Sequence, residues 1–415
     1  EGKFPVLKEV KTKEIKTDPK QPPHILIEGD NYHALSVLNY THEKKVDIIY
    51  IDFTRAFETV VHQKKLLYKL ETFGIKEKLL TWIMSFLSDR YQCTVVENSF
   101  SSVTWVKSGV IQGSVLGPLL FIMFVNDVVN VINECAKCNL YADDVKLYSS
   151  VTCSEDSTHL QHALNAIISW SEEWQLKINM SKCNILHVGS TNKKYCYYFK
   201  DIAITSLNCV KDLGIDMDSN LKFDHHISRV VSKAHSRVSC MFRGFVSRNP
   251  ILFKNASVTY VRPILEYCSN VWCPMYVKYV DTIERVQRQF TKYIRGLSYV
   301  PYQERLCVLG LESLEIRRLK RDLVYYFKIF HGQTPFNSED YFQVNDCDVD
   351  LRFRQIILVP EFHTDLGKNN FFSRRIDIWN HLPESTRLAS SVKTFIKLID
   401  NFDMSKYLIG SMWRT

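Results

Sequence analysis

The adjacent carboxylates of Asp143 and Asp144, preceded by Tyr141-Ala142, are the side chains of this sequence best suited to chemistry. Apolar runs flank them, Asn139 to Ala142 before and Val145 to Tyr148 after, and this pattern predicts strand, tight turn, strand. Asp suits such a turn because its short side chain tolerates and bonds the turning backbone. Two neighbouring carboxylates repel unless a cation shares them, so the pair reads either as a metal-binding tip or as an exposed acidic hairpin. Other residues weigh in favour of the first. Asp52 ends the apolar run Ile49-Tyr50-Ile51 and leads into Phe53-Thr54-Arg55-Ala56-Phe57-Glu58. Between the acids lies Ser108 to Phe121, which holds Gly109, Gln112, Gly113 and Gly117. Its glycines allow backbone to approach a ligand closely, and Pro118 is placed to start a helix. Acid-ended strand, Gly/Gln loop and acid-acid hairpin form the order that nucleotidyl transfer by two metals needs, the ions being roughly 3.5–4 Å apart. Mg²⁺ is satisfied by carboxylates and phosphate oxygens, so no His or Cys is required.

From Asp52 to about Thr415 the chain resembles the reverse transcriptase of non-LTR (LINE-type, jockey-like) retrotransposons. Asp52 to Phe57 resembles motif A, Ser108 to Phe121 motif B and Tyr141 to Asp144 motif C. Trp170 and Trp174 with Asn179-Met180-Ser181-Lys182-Cys183 resemble motif D, and Lys211-Asp212-Leu213-Gly214-Ile215 motif E. The resemblance implies that Asp52, Asp143 and Asp144 hold Mg²⁺ or Mn²⁺. It makes Phe57 the steric gate against a ribose 2′-hydroxyl, and it places Gln112, Gly113 and Tyr141 around the incoming nucleotide. Lys182 becomes a candidate proton donor to pyrophosphate, a solvated surface lysine being the alternative. Leu213, Gly214 and Ile215 would help grip the primer end. Two positions depart from the family pattern. Ile111 stands where Pro is usual before the motif B glutamine, and Glu58 where Asp follows the gate aromatic. Neither removes a metal ligand.

Ahead of Asp52 the sequence does not resemble polymerase fingers. Pro23 to Leu35 and Lys45 to Asp52 resemble the start of bacterial type III restriction–modification DNA-adenine methyltransferases. The Pro-Pro-Tyr that should follow Asp52 in that family is replaced by Phe53-Thr54-Arg55, so methyltransferase chemistry is not expected. The two resemblances meet at Asp52 as in a joined sequence. Both families end a buried, parallel-type strand on that acid, and the apolar run Val46 to Ile51 fits the middle of a sheet. Leu26 to Asp30 is then expected to pack loosely.

The elements that must carry these residues follow from periodicity. Apolar spacing near 3.6 residues predicts helices over 57–73, 77–87, 118–132 and 156–176. Ile227, Val230, Val231, Ala234 and Val238 form a further helical stripe, as do Ile283, Val286, Phe290 and Ile294. The expected fold class is an α/β (α+β) polymerase-like palm followed by a mostly helical thumb and C-terminal region, with truncated fingers. Its segments would be 1–51 (methyltransferase-like), 52–216 (palm), 217–332 (basic helical thumb) and 333–415 (linker and retroelement C-terminal segment).

Charge is concentrated in the third segment. Residues 225–330 hold 18 Lys and Arg against 7 Asp and Glu, an excess greater than the +8 of the whole chain. Aromatics are interleaved with it: Phe242, Phe245, Tyr260, Trp272, Tyr276, Phe290 and Tyr293. This is either the footprint of a nucleic-acid groove or a solvated helical surface over an aromatic core. His225-His226 reads as structural. The twelve cysteines form no framework. Cys135-Ala136-Lys137-Cys138 has CxxC spacing without a second pair, so zinc is not expected and reduced thiols are. Val115 to Val125 is the longest apolar run, too short for a bilayer, and no signal peptide is visible, so an intracellular protein is expected. The absence of an initiator Met suggests a fragment. Expected partners are an RNA template, a DNA primer and deoxynucleoside triphosphates. Two functions stay open: a Mg²⁺-dependent RNA-directed DNA polymerase of low activity, or an inactive remnant that at most binds nucleic acid. A methyltransferase fragment is a distant third.

Overall fold

Strand β1 (Val46–Ile51) is the middle member of a five-stranded sheet. The other strands are β2 (Lys137–Tyr141), β3 (Asp144–Ser150), β4 (Asn184–Val188) and β5 (Thr205–Leu207), in the order β5-β4-β1-β3-β2. The computed structural model describes residues 45–60, 63–132, 136–246, 249–344, 356–362 and 365–411. Leu26 to Asp30, and the methyltransferase-like segment up to residue 44, lie outside the described residues. The chain divides into two compact units, described from Lys45 to Val210 and from Lys211 onward.

The expectation of a parallel-type β1 is corrected: β1 runs antiparallel to both β3 and β4, and only β5 joins the sheet parallel to its neighbour. The hairpin explains the direction. β3 starts just after the Ala142-Asp143 turn, whereas β1 ends just before Asp52, so the two acid-bearing ends coincide only when the strands oppose each other.

One face of the sheet carries Ile49, Ile51, Val145, Leu147 and Ile185 into the main core. Helices cover that face: α1 (Ala56–Thr59), α2 (Gln63–Thr72), α3 (Glu77–Leu87), α4 (Leu116–Val125) and α5 (Ser154–Trp174). The span 77–87 is the predicted one. The predicted helix 57–73 instead has α1 and α2 as separate pieces, and 118–132 becomes α4 followed by a 3-10 segment, Asn126–Val131.

Two of the buried charged side chains of this unit, Asp47 and Lys69, show how such groups are accommodated. Asp47, fully buried on β1, faces His187 across the sheet, with Oδ1 2.7 Å from His187 Nδ1. Asn192 Nδ2 donates to the same oxygen at 2.8 Å and the Tyr197 hydroxyl to Oδ2 at 2.6 Å. Burial, then the Asp47 charge, push the Tyr197 hydroxyl above its ordinary range. Lys69 of α2 lies over the rings of Trp174, Phe124 and Trp170 at 3.7, 4.5 and 4.6 Å and bonds Asp127 at 2.6 Å. Burial lowers its ammonium to about 8, against the pull of Asp127. Trp170 and Trp174 therefore serve the core here. Cys138 is likewise a core residue of β2, its thiol pushed up to about 12 by burial, while Cys135 lies outside the described residues.

The division falls within β6 (Cys209–Asp212), which pairs with β7 (Ile215–Asp218), and the second unit continues in helices. These include α6 (Asp224–Gly244), α7 (Pro250–Tyr260), α8 (Arg262–Glu266), α9 (Val277–Lys292) and α10 (Leu314–Phe330). Ile227, Val230, Val231, Ala234 and Val238 are all buried along α6, and Ile283, Val286 and Phe290 along α9, as their spacing predicts. The interleaved aromatics divide. Trp272 and Phe290 are core, and Phe242 packs on Phe253, Phe290 and Tyr293, whereas Tyr260, Tyr276 and Tyr293 are exposed. Among the described residues no helix is long and apolar enough to cross a membrane.

His226 is structural, as expected. Its ring meets Trp272 at 5.0 Å and its Nδ1 accepts from the backbone N–H of Asp216 at 3.2 Å. Burial, with Arg229 nearby, lowers its pKa to about 4. Asp216, 3.7 Å away, pulls the other way. The unfolded chain therefore binds a proton on this ring at a higher pH than the folded chain does. Stability is fully present above about 6.5 and falls as the pH drops toward 4, by roughly 3 kcal/mol. Urea midpoints read by tryptophan emission between pH 7 and 4 should show the loss, and His226→Gln should flatten it.

Candidate active site

The register of β1 on β3 does what the sequence pattern could only suggest. Ile51, the last residue of β1, pairs with Val145, which brings the following residue, Asp52, to the level of Asp144. Tyr141 pairs with Asp144 across the β2–β3 hairpin, leaving Ala142 and Asp143 as the two-residue turn. Asp52, Asp143 and Asp144 thus share one end of the sheet. Ala142 makes the turn with φ 53, a left-handed conformation in which an L side chain is strained. Tyr141 is partly exposed beside it.

Motif D closes around Asp52. The backbone N–H of Asn179 donates to the Asp52 carbonyl at 2.7 Å, and that of Thr54 to the Lys177 carbonyl at 2.8 Å. The turn that follows returns Lys182, whose Nζ lies 3.4 and 3.5 Å from the two carboxylate oxygens of Asp52. Lys182 is largely exposed, yet its charge sits against the acid end of the sheet. Cys183 beneath it bonds the Asn179 carbonyl, and burial pushes its thiol up to about 11.

The Gly/Gln loop is bound to motif A by its backbone. Val110 N donates to Phe57 O at 2.8 Å, Gly109 N to Val60 O at 2.9 Å, and Ser108 Oγ to Glu58 O at 2.9 Å. Arg90 adds the outer clamp, giving Nη2 bonds to Gly109 O at 2.7 Å and Ser108 O at 3.2 Å. Sequence reading missed Arg90, because a lone arginine after a helix carries no motif signal. Phe57, half-buried, stacks on Phe121 of α4 with ring centroids 4.3 Å apart. Ser114 Oγ bonds Ile111 O and accepts from Gly117 N, which seats the start of α4.

The three glycines do different work from that expected. At Gly109 and Gly117 the close approach is to protein backbone: a Cβ would meet Glu58 O and Phe57 O in one case and Ile111 O in the other. Only Gly113 faces open space, and Gln112 beside it is exposed. Gln112 and Gly113 thus both lie open to solvent. The motif E residues belong to the second unit. Leu213 and Gly214 make the β6–β7 turn with φ 44 and 87, and Ile215 is buried. Tyr267 OH donates to Leu213 O at 3.1 Å and Arg229 Nη2 to Gly214 O at 2.8 Å, which holds this strained turn in place.

Among the described residues no three ligating side chains are gathered ready to hold a metal ion. The donor set is nonetheless the right kind. Carboxylates alone, at a sheet end reached by two strands and a turn, suit a hard divalent cation that takes its remaining ligands from phosphate oxygens.

Residues 10–223, just over half of the chain, match the model of the family described as reverse transcriptase (RNA-dependent DNA polymerase). The match begins well before Asp52 and runs through it, so the methyltransferase resemblance of residues 1–52 finds no support. Among curated proteins, the RNA-directed DNA polymerase from mobile element jockey of Drosophila funebris is 28% identical over 258 residues. That alignment covers 60% of this chain and 28% of the relative. The probable RNA-directed DNA polymerase from transposon BS of Drosophila melanogaster is 28% identical over 277 residues, covering 62% and 29%. The chain thus spans under a third of the length of these relatives. A solved telomerase from Candida albicans aligns with 68% of this chain and 54% of its own at 13% identity and a TM-score of 0.35, too loose a likeness to carry an argument. The matched segment takes in Asp52, the Gly/Gln loop, the acid hairpin and the β6–β7 turn together, and on that ground the chain belongs to the reverse transcriptase family.

Proposed function

We propose that this chain is the polymerase part of a non-LTR retrotransposon protein, which adds deoxynucleotides to a primer 3′-hydroxyl on an RNA template. The register that brings Asp52 level with Asp144, with Asp143 at the adjoining turn, carries the reading. In it the unit from Lys45 to Val210 acts as the palm, and the helices after the β6–β7 hairpin act as a thumb on the primer–template. Asp52, Asp143 and Asp144 are the residues that would hold Mg²⁺ or Mn²⁺. Bound there, the ions supply Lewis acidity to the primer hydroxyl and neutralise charge on the departing pyrophosphate.

The protein's own residues do the rest. The β1 and β3 ends and the hairpin turn fix the backbone that carries the three carboxylates, so that only side-chain rotation would be needed to gather them around the ions. The open Gly113 backbone and Gln112 border the nucleotide, with Tyr141 on the hairpin side. Phe57, braced by Phe121, cannot yield to a 2′-hydroxyl and so favours deoxynucleotides. Lys182 is placed to leave Asp52 for the pyrophosphate, where it gives a proton to the departing oxygen. Leu213, Gly214 and Ile215 form the primer grip.

A second reading, a remnant that binds nucleic acid without catalysis, draws on one observation: the Lys182 ammonium lies 3.4 Å from Asp52, against the charge that a metal ion would take. Extension of a DNA primer on an RNA template with Mg²⁺ or Mn²⁺ decides between them. Deoxynucleotide addition supports the polymerase. A folded preparation that binds primer–template but never extends it supports the remnant.

A further inference from the structure

The second unit contains a cavity of about 580 Å³ that none of the motif residues lines. Its walls come from α8, the segment just after it and α10, and they include Arg262, Glu266, Tyr267, Arg317, Arg321 and Tyr325. Three guanidinium groups face the Glu266 carboxylate, and Arg317 also lies 3.6 Å from Glu312, whose other partner is Lys320. Glu266, which is buried, binds Arg317 and Arg321 through both oxygens: Arg317 Nε to Oε1 at 2.5 Å and Nη2 to Oε2 at 3.1 Å, and Arg321 Nη2 to Oε2 at 2.8 Å. The carboxylate thereby fixes two planar forks while cancelling one charge. Arg262 stands 4.0 Å from Glu266, at the limit of an ion pair, and no shorter carboxylate contact is recorded for it among the described residues. The wall therefore keeps an excess of positive charge in guanidinium form, the group that matches phosphate oxygens bidentately.

Tyr267 connects this cavity to the β6–β7 turn. Its ring, about half exposed, bonds Leu213 O through the hydroxyl and lies 3.4 Å from the position of a Cβ on Gly214. Tyr325 contributes a second ring, held edge-on against Phe371 at 5.2 Å. Arginines with flat rings nearby form the surface on which a nucleic-acid strand is held by its phosphates and stacked by its bases. The volume exceeds what a lone phosphate needs and lies in the range of sites that enclose a larger organic ligand.

We propose that this cavity binds a phosphodiester group of the nucleic-acid strand that leaves the β6–β7 turn, with Arg262 as its principal contact. The proposal rests on the reverse-transcriptase reading for the identity of the strand. A free triphosphate offers the same chemistry, and the test separates the two.

Binding of a fluorescein-labelled RNA–DNA primer–template to the full chain is followed by anisotropy over a salt series, with inorganic triphosphate as competitor. Arg262→Gln should weaken binding roughly tenfold near 0.1 M salt and lower the log–log salt slope by about one. Arg262→Lys should keep the slope. On the unaltered protein, the same duplex should protect Arg262 from phenylglyoxal, a readout that needs no variant to fold. An unchanged slope with Arg262→Gln, or no protection, overturns the proposal. An Arg262-dependent effect confined to triphosphate displacement overturns the strand assignment. Primer extension in the same preparations separates this inference from the one beneath it. No extension with an Arg262-dependent slope sinks only the polymerase reading, and extension by a protein whose binding ignores Arg262 sinks only the cavity.

Discussion

Asp143→Asn is expected to lower primer extension at least a thousandfold, on the order of 4 kcal/mol in the barrier, while leaving the fold and primer–template affinity near those of the unaltered chain. Asp143 is half-buried at the hairpin turn, and its side chain makes no hydrogen bond among the described residues, so an isosteric amide disturbs nothing that holds the turn. What it removes is a negative charge from the end of the sheet that carries Asp52, Asp143 and Asp144. Asp52→Asn should cost as much, and it has a second consequence. Lys182 Nζ, 3.4 Å from Asp52, would lose the charge that holds it there. Steady-state extension across Mg²⁺ concentrations, with urea unfolding as the control for folding, measures both. Extension by Asp143→Asn at the unaltered rate would remove that residue from the catalytic set.

The largest effect on stability is expected at Gly109. It adopts φ +86, and a Cβ there would lie 2.6 Å from Glu58 O, 2.8 Å from Glu58 Cα and 2.8 Å from Phe57 O. All three are backbone atoms, so no side chain can swing aside. Ala at this position must push the loop off motif A, which strains the bonds from Val110 N to Phe57 O and from Gly109 N to Val60 O. Gly109→Ala should destabilise the first unit by about 3 kcal/mol or more, the sum of left-handed strain and backbone crowding. Gly113→Ala is the control. Its φ of +82 is nearly the same, but no atom lies within 4 Å of the added methyl, so only conformational strain of about 1 kcal/mol remains. Urea midpoints of the two variants measure the difference. Equal losses would show that crowding at Gly109 is relieved without cost.

These two sites differ in how far the sequence reveals them. The acid hairpin is legible because its signals are local: apolar runs on either side and two turn-compatible residues at its tip. Helix Glu77–Leu87 and the stripe along α6 are legible for the same reason, since a 3.6-residue period lies within one segment. Crowding at Gly109 is not local. The sequence offers a glycine in a loop, which reads equally well as an approach to ligand, and only the position of residues 57–60 shows that the neighbour is protein.

The same distinction covers the rest of the molecule. The sequence by itself pointed to the family and gave the order along the chain of the residues proposed to carry the chemistry. It could not fix that β1 is antiparallel to both neighbours, since an apolar strand ending in an acid fits either direction. Nor could it assign Asp47 to a buried network with His187, Asn192 and Tyr197, contributed by residues 140 to 150 positions away. It left Trp272 among the aromatics interleaved with the basic residues, whereas packing made it core and left Tyr260, Tyr276 and Tyr293 outside. Tertiary structure alone decided that Asp52 lies level with Asp144. Strand register is set by which apolar residues must share a face, and a slip of one residue would turn Ile49 and Ile51 out of the core and Asp52 away from the hairpin.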